Sequence, residues 1–198
     1  MHDERTAPKR LRVTGLQEAQ LPALVALEQA CKAMYHERGF DAAEVPPRAL
    51  SDIIALTRQH DVRVAEADDE VAGYMAWRDE APGVAYLEEL SVHPDHQRRG
   101  IATRLLEELH ERARELGMEQ VVLRSREKAS WAQAFYRKAG FAGLGDDAPE
   151  KVRAWRGAQE ASGGPLARPG EVILWAAVPP RASEEPGNDG DGEVSGES

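Results

Sequence analysis

The chain has 198 residues, 41% of them hydrophobic and 30% charged, the composition of a soluble globular domain of ordinary size. Its apolar runs fall far short of the ~18–20 residues that cross a bilayer, which argues against an integral membrane protein. A net charge of −10 argues against a nucleic-acid partner, and the single cysteine, Cys31, excludes an internal disulfide and a multi-cysteine zinc site. The start, Met1 to Arg5, has no apolar signal core, which with the lone cysteine predicts a cytoplasmic protein. Residues 181–198 hold one arginine against six acids among Gly, Ser and Pro. Such a stretch buries too little apolar surface to offset its ordering entropy. The expected division is a flexible start over 1–10, one domain over 11–179 and a disordered acidic tail over 180–198.

In chain order, Arg10 to Thr14 reads as a strand. Leu21, Leu24, Leu27, Ala30, Cys31 and Met34 form a helical stripe with Pro22 in its first turn. Leu50, Ile53, Ile54 and Thr57 mark a second helix. Val62–Val64 and Val71–Trp77 flank an Asp68-Asp69-Glu70 turn, predicting a hairpin, and Val84–Val92 is the next strand. Ile101–Leu116 has the cleanest helical stripe and is stopped by Gly117. A strand over Gln120–Ser125, a helix over Ser130–Ala139 stopped by Gly140, and a strand opening at Phe141 follow, with Val152–Trp155 as its extension. Glu171–Val178 is the last strand. The expected fold class is α/β: a mixed, mostly antiparallel central sheet with one parallel β-α-β unit and helices on both faces.

The segment from Leu90 to Thr103 carries the chemistry. A strand ends, Pro94 stiffens a turn, and a helix starts at Gly100 beside Arg98 and Arg99. Helix starts expose unpaired N–H groups and partial positive charge, and a glycine lets an anion approach the backbone. The residues fit a phosphate cradle, or an ordinary strand-to-helix loop with a solvated arginine pair. They fit neither a Walker loop nor a dinucleotide fingerprint, each of which needs further glycines.

Gln97-Arg98-Arg99-Gly100-Ile101-Ala102 resembles the Gln/Arg-x-x-Gly-x-Gly/Ala motif of the GNAT superfamily of acetyl-CoA-dependent N-acetyltransferases, and Phe135-Tyr136-Arg137-Lys138-Ala139-Gly140-Phe141 resembles its second cofactor segment. The resemblance spans Tyr86 to Phe141 in detail. It implies acetyl-CoA as co-substrate, with no metal. Gln97, Arg98, Arg99, Gly100, Ile101, Ala102 and Thr103 would hold the pyrophosphate, and Leu90, Ser91 and Val92 the pantetheine arm. The sheet would open beside that strand. Members of the superfamily often form homodimers.

The same resemblance makes Tyr136 the acid that protonates the departing thiolate. The base is expected at Glu88, with Glu89 second, and polyamine acetyltransferases of the superfamily show a similar Leu-Glu-Asp run. The alternatives are that these acids bind the substrate cation or sit at a solvated edge, and that ordered water activates the amine, as it often does in the family. Strand alternation puts Tyr86, Glu88 and Leu90 on one face and Leu87, Glu89 and Ser91 on the other, so one glutamate faces the slot. Partial burial there would raise a carboxylate's pKa toward useful values. Two positions depart from the pattern. Ala129 replaces an asparagine, with Ser130 offered as a partial substitute, and Arg124 stands where some members carry a glutamate.

The acceptor is expected to be a primary amine of a small molecule or peptide. Tyr35, His36, Glu37, Asp41 and Glu44 with the two glutamates would make an acidic funnel for a cation; a solvated loop is the plainer reading. The rival reading of the whole chain is a non-catalytic acyl-CoA-binding or interaction module on the same fold.

Overall fold

β1 (Leu11–Gly15) leads into α1 (Leu21–Glu37) and α2 (Leu50–Gln59), followed by the meander β2 (Asp61–Ala67), β3 (Glu70–Ala81) and β4 (Val84–Val92). Then come α3 (Ile101–Glu115), β5 (Gln120–Arg126), α4 (Ser130–Lys138), β6 (Ala142–Gly143), α5 (Glu150–Ala161) and β7 (Glu171–Ala177). The computed structural model describes residues 7–46, 48–162 and 170–180. Residues 1–6 and 181–198 of the termini expected to be flexible lie outside them.

The strands form one sheet in the order β1-β2-β3-β4-β5-β7-β6. Among the described residues only β4 and β5 pair in parallel, across the α3 crossover. The β2–β3 turn has Asp68 and Asp69 at φ 54° and 70°, as a two-residue type I′ connection requires. α3 and α4 pack on one face, where Leu105, Leu106 and Leu109 meet Met75, Trp77, Leu87 and Leu123. Each buried leucine contributes roughly 1.5–3 kcal/mol by leaving water. α1 and α2 cover the other face over β2 and β3, through Leu24, Leu27, Ile53 and Leu56.

Both predicted glycine stops are Schellman caps. After α3, Gly117 (φ 72°) donates to the Arg114 carbonyl and Met118 to that of Ala113. After α4, Gly140 (φ 89°) donates to Arg137 and Phe141 to Tyr136.

One element differs from the sequence reading. Val152–Trp155, expected as a strand extension, lies inside α5, and the strand at Phe141 has only two residues, Ala142–Gly143. Val152 and Trp155 stand three apart, so one helical face buries both, against Val84, Tyr86, Val122 and Ile173. Their β-branched and aromatic character favours strand in isolation, and packing overrides it.

Candidate active site

β4 and β5 separate partway along. Their pairing ends at Leu87 opposite Leu123, while β4 continues to Val92 and β5 to Arg126. On the other edge, Ala76 of β3 faces Glu89 and Trp77 faces Leu87, so Glu88 is the extra residue of a β-bulge. Glu88 therefore has a ladder partner on neither strand. The bulge also resets alternation: Leu87 and Leu90 both reach the α3 face.

This corrects the expectation that one glutamate faces the slot and the other turns away. Both line the same cleft, of about 670 Å³, together with Tyr136, Leu90 and Ala132. Arg48 binds both, with Nη2 at 3.2 Å from Glu89 Oε2 and 3.7 Å from Glu88 Oε1.

The two carboxylates sit in different surroundings. Glu89 accepts hydrogen bonds from Ser91 (2.8 Å) and Arg48. Burial by itself would raise its pKa, but the charges of Lys32 and Arg48 and these hydrogen bonds outweigh it. The carboxyl is held below the usual carboxylate range, opposite to the rise expected from burial alone. Behind it, the fully buried Glu28 accepts from the Tyr74 hydroxyl at 2.7 Å and lies 3.7 Å from Lys32. Burial, and then the negative charge of Glu89, push the Glu28 carboxyl up. Glu88 is the more open of the pair, its side chain 31% exposed against 17% for Glu89. Its Oε2 lies 3.4 Å from Arg78 Nη1 and 4.0 Å from His60 Nε2. His60 donates from Nδ1 to the Leu56 carbonyl, so Nε2 is free to accept from Arg78 at 2.8 Å. Burial, reinforced by the Arg78 charge, lowers the His60 pKa and favours this neutral ring.

Tyr136 lies on the last turn of α4 with its ring between Phe135 (5.3 Å) and Phe141 (5.4 Å). The Schellman cap explains the Gly-Phe spacing: Gly140 supplies the left-handed residue, and Phe141 returns to bond the Tyr136 carbonyl and pack on its ring. Burial, then the Glu89 charge and the Tyr35 phenol, push the Tyr136 phenol far up. It stays protonated, so its O–H proton is available to donate.

The loop before α3 presents main chain. Arg98 (φ 63°) and Gly100 (φ 82°) are both left-handed, and Gly100 caps α3. A Cβ built on Gly100 would meet nothing within 4 Å, so space stands open over the helix start. Gln97 ties the loop down by donating to the Val92 carbonyl at 3.2 Å. Ile101, Ala102 and Thr103 form the first turn, whose N–H groups have no intrahelical partner. Of the two arginines, Arg98 is exposed, while Arg99 donates to Asp68 (3.1 Å) and His96 (3.0 Å) and braces the loop. His93 accepts from the Asp95 N–H, a turn cap.

Ser130 is exposed at the start of α4 and does not line the cleft, and Ala129 is buried against Phe40 and Val45. Of the residues proposed for an acidic funnel, Tyr35 lines the cleft and His36, Glu37, Asp41 and Glu44 do not. Lys32, Arg48, Arg78, Arg124 and Arg126 line it instead, and of these sequence reasoning singled out only Arg124, at the position where some members carry a glutamate. The other four were legible only as isolated basic positions; nothing local ties Arg48 to Glu89, 41 residues away.

A parallel strand pair that splits at a bulge, with a glycine-capped helix start beside the split, defines the N-acetyltransferase architecture. The family model described as Acetyltransferase (GNAT) family matches residues 21–141, and the chain belongs to that family. No curated protein matches the sequence. Among solved structures, the PaiA N-acetyltransferase from Thermoplasma acidophilum, in complex with coenzyme A, superposes with a TM-score of 0.65 at 14% identity, covering 85% of this chain and 99% of that one. The ribosomal-protein-S18-alanine N-acetyltransferase of Escherichia coli gives 0.61 at 17% identity, over 89% and 99%. Ard1 from Thermoplasma volcanium gives 0.62 at 15%, over 86% and 99%. Among the described residues no helix is long and apolar enough to cross a membrane.

The residues present fit coenzyme A. The open space over Gly100 and the first-turn N–H groups of α3 suit a pyrophosphate, and the unpaired edge of β4 beyond Leu87 suits an amide-bearing arm.

Proposed function

We propose that the chain transfers the acetyl group of acetyl-CoA to a primary amine of a small molecule or peptide, by direct attack of the amine on the thioester. The observation that carries this reading is one cleft holding an ionisable carboxylate, Glu88, and a phenol kept protonated, Tyr136, beside the split of β4 and β5.

The thioester supplies an electrophilic carbonyl and a thiolate leaving group. Arg98 to Thr103 hold the pyrophosphate through main-chain N–H groups, with Gln97 and Arg99 bracing the loop. Leu90, Ser91 and Val92 offer their strand edge to the arm. Glu88 takes the proton from the incoming ammonium, since it is open to the cleft and lacks the close hydrogen bonds that occupy Glu89. Glu89 is the anchor that places Arg48 and Ser91. Tyr136 donates its proton to the departing sulfur. The mixed charge of the cleft suits an acceptor that is itself polar on several sides. The single cysteine fits a reducing, cytoplasmic setting.

A thermal-shift titration tests cofactor choice. At a hundredfold excess over Kd, a ligand bound only to the folded state adds about 2.7 kcal/mol, or roughly 5–10 °C for a domain of this size. Acetyl-CoA should give such a shift and NAD and ATP should not. Thiol release with a panel of amines then tests turnover; CoA binding without thiol release across the panel would favour a non-catalytic acyl-CoA-binding module.

A further inference from the structure

α5 lies beyond the residues matched by the family model, and its polar face is connected to the cleft. Trp155 and Gln159, four residues apart and so on one face, both donate to Oε1 of Glu80, at 3.3 and 2.9 Å. The other oxygen of Glu80, Oε2, receives both Nε and Nη2 of Arg78 at 2.7 Å. Arg78 also stacks on the Tyr86 ring at 4.7 Å and donates to His60. The same nitrogen that donates to His60, Nη1, also lies 3.4 Å from Glu88 Oε2. Glu80 is only 12% exposed, so its orientation is set by these partners rather than by solvent.

We propose that α5 positions the Glu88 carboxylate, with Trp155 and Gln159 fixing Glu80, and Glu80 fixing the Arg78 guanidinium that holds Glu88. This rests on the reading of Glu88 as the base. Glu88 needs such an external hold because it has no residue opposite it on β3 or β5, and a carboxylate on a bulged strand residue is placed by its partners. Arg48 reaches Glu88 only at 3.7 Å and is shared with Glu89. A helix that merely covered the sheet would need Val152 and Trp155 inward but no amide at position 159 reaching Glu80. Trp155, Gln159, Glu80 and Arg78 are positioning residues; none is assigned contact with the reacting atoms.

The test uses the full chain with Q159A, Q159K, W155F/Q159A, E88Q and the E88Q/W155F/Q159A combination. Thiol release is followed from acetyl-CoA with spermidine, L-lysine and an alanyl peptide as acceptors, and crystal structures are determined for the wild type and Q159A. We expect Q159A to lower kcat several-fold and W155F/Q159A about tenfold, with KM for acetyl-CoA unchanged. Q159K, which returns a donor to Glu80, should recover the rate, and the double change should cost nothing further on the E88Q background. In the Q159A crystal, Arg78 should withdraw from Glu88. An Arg78–Glu88 contact unaltered in that crystal, equal rates for Q159A and Q159K, or a tenfold loss repeated on the E88Q background would each overturn the proposal, and the crystal decides whether or not an acceptor turns over. If E88Q itself works at the wild-type rate, the base assignment fails and the proposal with it; if E88Q is impaired and the α5 variants are not, the proposal alone fails.

Discussion

Arg48 Nη2 stands 3.2 Å from Glu89 and 3.7 Å from Glu88, so one guanidinium holds two consecutive strand residues on the same side of the sheet. A regular strand cannot do this, because successive side chains point to opposite faces. The bulge at Glu88 makes it possible, and it occurs where β4 leaves β5.

The two glutamates should therefore respond differently to removal of charge. E88Q is expected to lower kcat by about 10²-fold or more, the usual range for losing a general base. E89Q should lower it much less. Steady-state thiol release between pH 5 and 9 measures both, and equal losses would remove the distinction between base and anchor.

Glu89 should instead appear in stability. Its folded-state pKa is depressed, so its ionised form contributes stability above the unfolded value of about 4.3 and loses it as pH falls through the folded value. Wild type should melt above E89Q at pH 7, and the gap should close as pH falls below about 4. Paired thermal melts across pH 3–7 report it, and a gap independent of pH would contradict the assignment.

Y136F should keep its Tm within about 2 °C, since the ring retains its contacts with Phe135 and Phe141 and only a hydroxyl is lost. Turnover should fall by about 10²-fold with little change in KM for acetyl-CoA, measured by thiol release and calorimetry. Because burial keeps the phenol protonated, wild-type activity should show no loss near pH 10 ascribable to Tyr136.

G100E should weaken CoA binding more than tenfold by calorimetry. It places a carboxylate over the first-turn N–H groups and forces a side chain into a left-handed backbone, costing roughly 1–2 kcal/mol. G100A carries the backbone cost but no charge and adds no clash, so it should bind CoA better than G100E. Equal affinity for both variants would move the pyrophosphate elsewhere.

Much of this was open to reading from the chain. The α3 stripe, its Gly117 stop, the Asp68-Asp69 turn and the Gly140-Phe141 cap are local: each depends on residues within a turn or two of one another, so the pattern carries them. The same holds for the loop at Gly100 and for Tyr136 in its motif. The α5 helix was misread because Val152 and Trp155 suit a strand until β4, β5 and β7 give them a face to cover.

By itself, the sequence determined the extents of α3 and α4 with their glycine stops, the mixed α/β class, and the two motifs that flank the parallel crossover. Only the folded chain decided that Glu88 and Glu89 share a cleft, that Arg48 and Arg78 hold them, and that α5 reaches that cleft through Glu80. A bulge arises from the register of two strands, and a buried carboxylate takes its charge state from cations brought to it across the fold; neither is written in the residues nearby.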